Sequence, residues 1–223
     1  MAQLPHVFAL GVTLGLMPQL VDASAWPRGE ENSFFSLSYQ YQLNETEDQD
    51  YGSIFAEYGL TEALTFGLDL GYNPVARDRS GIVFLRQSYT MPSGPDVYAL
   101  ELGVGVVDIS DNTYAVVRPG ASWGRGWQSG DLSGWAGIEA SYAFRGDGSQ
   151  LGKVDVTGGI AHEGGSLSLI QIQTSKPSDN DWVATLAPSY VYAVEDDWFL
   201  EIGTSLKLSN GAKSFKLGVW REF

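Results

Sequence analysis

The sequence predicts an all-β chain: an antiparallel, up-and-down transmembrane β-barrel of about twelve strands. Three observations carry that prediction. Apolar residues recur with period two along most of the chain, the signature of strands with two unlike faces. The opposite rows hold mainly Gly, Ser, Thr and Gln with isolated charges, rather than the crowded Lys, Glu and Arg of a water-facing sheet. The links between alternating segments are rich in turn formers and mostly short, a rhythm that fits a meander better than a Greek key.

The first 25 residues stand apart. Val7 to Met17 (VFALGVTLGLM) is an uncharged apolar run, too short to cross a bilayer as a stable helix. Pro18 follows, and Ala23-Ser24-Ala25 supplies the small-x-small pattern of a signal-peptidase site, although the leading MAQLPH carries no Lys or Arg. The expected organisation is a cleaved secretory signal over 1–25 and one β-barrel domain over 26–223.

Strands are expected at 33–43, 51–60, 64–73, 82–90, 97–107, 113–123, 134–145, 153–161, 166–175, 183–193, 198–208 and 214–223. The first sets Phe35, Leu37, Tyr39, Tyr41 and Leu43 against Ser36, Ser38, Gln40 and Gln42. The third sets Leu64, Phe66, Leu68, Leu70 and Tyr72 against Thr65, Gly67, Asp69 and Gly71. The fifth sets Tyr98, Leu100, Leu102, Val104 and Val106 against Ala99, Glu101, Gly103 and Gly105. The seventh and eleventh repeat the scheme around Ile138 and Ile202. Strand 82–90 opens IVFL and then meets Arg86, which leaves its register ambiguous. Pro119 and Pro188 fall inside strands and cannot donate to a ladder, so a bulge or a strand end is expected at each.

Period two alone does not say which face is outside. A twelve-stranded barrel is too wide for twelve large apolar rows to meet across it, so those rows belong against lipid. Only helices and closed barrels pair every backbone group internally in a bilayer. Tyr39, Tyr41, Tyr58, Tyr72, Tyr98, Tyr142, Tyr190, Tyr192 and Trp198 cluster toward strand ends, as aromatic girdles do at the lipid–water boundary.

Composition narrows the function. The 223 residues carry 13 Lys plus Arg against 27 Asp plus Glu, a net charge of −14 that argues against nucleic acid. With no cysteine, disulfide frameworks, Cys-based zinc sites and thiol catalysis are all excluded. No cofactor and no metal site is expected. The acids of the link NETEDQD (Glu45, Glu47, Asp48, Asp50) match no calcium loop and read as a solvated surface. A single histidine, His162, lies beyond the first 25 residues, in a link on the turn side beside Glu163, which is thin material for an enzyme.

The chain ends SFKLGVWREF, with Phe215, Leu217, Val219 and Phe223 in one alternating row. This resembles the C-terminal strand of bacterial outer-membrane β-barrel proteins, which finishes on an aromatic residue after alternating apolar ones. Arg221 departs from that pattern, and Trp220 beside it is expected at the membrane boundary. The resemblance implies a Gram-negative outer-membrane location, contact with outer-membrane lipid and lipopolysaccharide, and reading of the last strand by the barrel-assembly machinery.

Within such a barrel the polar rows face the lumen. The expected pore-lining residues are Glu57, Asp69, Glu101, Arg118, Glu139, Lys153, Asp155, Glu201 and Lys207, with Lys216 and Glu222 beside them. Their surplus of carboxylates suggests a narrow, weakly cation-preferring, porin-like channel for the transport of small solutes or ions. Gly67, Gly71, Gly103, Gly105, Gly137 and Gly203 in the polar rows are expected to leave it open. The alternatives are a closed structural or surface-interaction barrel, an outer-membrane hydrolase and a secreted soluble β-protein.

Overall fold

The computed structural model describes residues 25–43, 50–109, 111–178 and 180–223. The expected signal segment, apart from Ala25, and most of the acidic link at 44–49 lie outside the described residues. Twelve strands close into one antiparallel barrel in chain order, with β1 paired to both β2 and β12. They are β1 (Ser33–Gln42), β2 (Tyr51–Gly59), β3 (Leu64–Tyr72), β4 (Arg79–Thr90), β5 (Asp96–Ile109), β6 (Asn112–Ser129), β7 (Leu132–Arg145), β8 (Gln150–Ala161), β9 (Leu167–Pro177), β10 (Val183–Glu195), β11 (Trp198–Lys207) and β12 (Lys213–Glu222). Closure leaves no free strand edge, so each strand's backbone groups find partners on both sides.

The alternation faces the way a bilayer demands. Leu100 is 60% exposed and Ile170 53%, while their sequence neighbours Ala99 and Leu169 are buried inside. All nine aromatic residues of the expected girdles are exposed on the outer face. Tyr39, Tyr41, Tyr72 and Tyr142 stand toward the loop-side rim, and Tyr58, Tyr98, Tyr190, Tyr192 and Trp198 toward the turn side. An apolar surface this continuous is not one that a water-soluble monomer presents.

Three expectations are corrected. β6 runs to Ser129 and β7 begins at Leu132, so the Trp- and Gly-containing stretch at 124–133 is mostly strand, not a long link. Glycines at alternate positions had hidden the period. Neither Pro119 nor Pro188 ends its strand or shifts the register: β6 pairs with β7 at Val117↔Phe144 and again at Gly120↔Ser141 in the same frame. β10 likewise pairs with β11 at Leu186↔Leu206 and Ser189↔Gly203. Each proline drops out of one ladder and keeps its place in the other, opposite Leu102 and Ile170. Trp220 faces inward and is 2% exposed, whereas Arg221 lies on the outer side, its guanidinium 5.0 Å from the Trp198 ring centre and 4.9 Å from that of Phe223. Stacking on two rings gives the arginine a place where an apolar residue was expected.

The core lies inside the barrel, at its turn-side end. Phe34, Trp135, Ala161, Leu167, Leu169, Val191, Phe199 and Trp220 form one buried cluster along the inner wall from β7 round to β1. Trp26 and Phe55 pack on it. A smaller inner cluster, Ile82, Val107, Val116 and Ala143, lies toward the loop side on β4 to β7.

Candidate functional site: the charged lumen

Between the two apolar zones the lumen is charged. The expected residues Glu57, Asp69, Glu101, Arg118, Glu139, Lys153, Asp155 and Glu201 line one internal cavity of about 290 Å³ together with Lys216. Lys207, at the loop-side end of the β11 inward row, does not line it. Two cations of the site were missed by the sequence reading, Arg86 and Arg28.

Arg86 is placed by the register of β4. Leu85 pairs with Leu102 and faces lipid, so Arg86, opposite Glu101, points inward. The same frame puts Ile82 and Phe84 inside, which is why IVFL looked like an exterior run. Phe84 is accommodated by Gly67, its partner on β3, while Gly103, its partner on β5, leaves room for Ile82. A Cβ at Gly67 would overlap the Phe84 ring. Trp135 repeats the device over Gly159, its partner on β8. Glycine in these rows therefore makes room for aromatic rings laid on the wall, and much of the space it was expected to leave open is filled. The readable signal was a large aromatic residue alternating with a charge in a row otherwise counted as apolar.

The charges form a ladder across β2 to β6. Arg28 and Arg86 both pair with Glu57. Arg86 Nη2 donates to Glu101 Oε2 at 2.9 Å, and Arg118 spans from Glu101 (3.2 Å) to Asp69 (2.6 Å). Three guanidinium groups and three carboxylates thus alternate in a connected chain. The centre of it is dry, with the Glu57 side chain 1% exposed and that of Arg86 4%. Charges survive such burial only when paired and hydrogen-bonded. Lys216 and Glu201 make a separate pair at 2.9 Å between β12 and β11.

The wall of β7 to β9 is different. Glu139 sits directly across from Asp155, with Lys153 two residues along β8 and Gln171 and Gln173 on β9 beyond it. Asp155 accepts the Thr174 backbone N–H at 3.0 Å. Glu139 is exposed to the cavity, and no ion pair holds it among the described residues. The cavity as a whole has six carboxylates against five cations, so the expected carboxylate surplus shrinks to about one charge once Arg28 and Arg86 are included.

His162 lies exposed on the turn side, its Nε2 2.8 Å from the Ser168 hydroxyl and its ring tilted against Tyr190. It is remote in the fold from the charged lumen, and no carboxylate partners it among the described residues.

No protein-family model and no curated protein matches this sequence. Solved structures do. The KdgM porin superposes with a TM-score of 0.61 at 12% identity over 85% of this chain and 99% of its own. The fold is that of the outer-membrane porins. The NanC porin gives a TM-score of 0.60 at 13% identity, covering 83% of this chain and 98% of the other. The COG4313 outer-membrane channel of Pseudomonas putida F1 gives 0.60 at 12%, covering 91% and 98%. At such identities the likeness is one of architecture. The closed barrel with its apolar belt is the architecture of outer-membrane barrels, and the similar structures are channels.

Proposed function

We propose that this chain is a narrow outer-membrane channel for small solutes, with a weak preference for cations set by the β7–β8 wall. The observation that carries the reading is the division of the lumen. The ladder from Arg28 to Asp69 consumes its own charges, whereas Glu139 is open to the cavity beside Asp155. A mobile ion in a narrow, low-dielectric passage responds chiefly to charges not already neutralised. The porin fold of the similar structures supports a channel role.

The test is conductance of the refolded protein in planar bilayers under a salt gradient, with and without Glu139→Gln. The reading expects cation preference that falls in the variant. Selectivity unchanged by Glu139→Gln removes that residue from the pathway. A second reading, a closed structural barrel, is favoured by the buried aromatic cluster at the turn-side end. It predicts a folded barrel that stays electrically silent whatever is done to the lumen.

A further inference from the structure

The turn-side cluster should be wet if it lined an open mouth, yet its members are at most 9% exposed. What covers them includes the segment that precedes β1. Residues 25–32 turn back into the barrel, helped by left-handed backbone at Gly29 (φ 77°) and Glu31 (φ 65°). Glu31 N–H donates to the Gly59 carbonyl at 3.0 Å, and Gly59 N–H donates to that of Asn32 at 2.9 Å. The approach is so close that a Cβ on Gly59 would overlap the Gly29 carbonyl. From there the segment enters the lumen. Arg28 N–H donates to Thr65 Oγ1 at 3.3 Å, and its side chain pairs with Glu57 and lies 4.4 Å over the Phe34 ring. Two residues earlier, Trp26 sits against Gly124 of β6, where a Cβ would overlap its ring, and packs on the buried cluster. Ala25 is 1% exposed.

These anchors are far apart around the ring. Gly59, Thr65 and Phe34 belong to β1–β3, whereas Gly124 is on β6, three to five strands further round the twelve-stranded ring, and Trp26 also packs on the inner cluster that runs from β7 round to β1. The segment therefore crosses the mouth rather than following its rim.

We propose that residues 25–32 are a strap that closes the turn-side mouth, latched by Arg28 on Glu57 and by Trp26 in the Gly124 niche, and that conduction requires the strap to leave. The proposal rests on the channel reading. It also explains why Glu57, whose side chain is 1% exposed, carries two guanidinium partners: one belongs to the wall and one to the strap. Withdrawal of Arg28 still leaves Glu57 paired with Arg86, so the buried acid keeps a partner in the wall when the strap moves.

The two latches are tested from opposite sides. Gly124→Val fills the Trp26 niche without touching the strap, and Arg28→Gln removes the ion pair without touching β6. Each is combined with Thr65→Cys, a single thiol in a cysteine-free chain, placed where Arg28 covers it. Folding is verified by the heat-sensitive mobility shift of the barrel on gels. The strap predicts that maleimide labelling of Cys at position 65 and the open fraction in planar bilayers both rise about tenfold in either background. Labelling that stays at the parental rate in folded variants overturns the latch. Faster labelling with unchanged conductance overturns the strap as a gate. In that case a parental protein that already conducts leaves the channel reading intact, while silence from every variant removes both.

Discussion

The two walls of the lumen are built from the same residue types and behave differently. On β2 to β6, every carboxylate of the cavity faces at least one guanidinium, and the middle of the ladder is sealed from water. On β7 to β9, Glu139 and Asp155 stand side by side with amides and one lysine, and Glu139 is open to the cavity. The difference comes from which cation each strand carries. Arginine presents a rigid fork that bridges two carboxylates at once, so Arg86 and Arg118 knit neighbouring strands. Lys153 is a single flexible point charge and leaves its neighbours partly free. One wall uses its charges to hold neighbouring strands together; on the channel reading, the other is the one a solute would meet.

The largest effect that would break this contrast is on stability. Glu57→Ala takes from Arg86 and Arg28 the carboxylate they share in a dry site and should cost about 3–5 kcal/mol in urea unfolding of the refolded barrel. Glu139→Ala, on the open wall, should stay within about 0.5 kcal/mol. Equal costs would mean that the walls do not differ. Next is the aromatic-on-glycine packing: Gly159→Val pushes into the Trp135 ring and should destabilise by about 1–3 kcal/mol in the same assay. A neutral result would show that the ring has room to move. A smaller loss, about 0.5–1 kcal/mol, is expected for Arg221→Ala from its stacking on Trp198 and Phe223 at the outer rim. The smallest is the one nearest to function. Glu139→Gln should lower the cation-to-anion permeability ratio by about twofold, read from the reversal potential, whereas Asp69→Asn, on the committed wall, should change the ratio less. If Asp69→Asn has the larger effect, the assignment of roles to the two walls is reversed.

Much of this was legible in the sequence because a membrane barrel writes its fold locally. Lipid on one side and a lumen on the other impose period two on every strand, and all twelve segments were read, eleven within three residues of their ends and the sixth six residues short, where Gly124 and Gly126 blur the alternation. The eight charged residues of the expected list that line the cavity were found by parity alone. Arg86 was not, because Ile82 and Phe84 precede it in the same inward row and imitate a lipid-facing run. Their inward placement depends on Gly67, which makes room for Phe84, and Gly103, which makes room for Ile82, and both meet them only through strand pairing. Arg28 escaped for a different reason. It lies outside any strand, in a segment whose sequence has no period and whose path is set by contacts with β1, β2, β3 and β6.

By itself, then, the sequence determined the class of the protein: strand number, the lipid face, the girdles and the polar rows, all of which follow from alternation against two solvents. Only the tertiary structure decided how the lumen is used. Which charges cancel, which glycines are filled by rings, and whether a segment before the first strand crosses the mouth all depend on contacts between strands distant in the chain. Alternation fixes the face a side chain takes, and it carries no information about the partner waiting across the barrel.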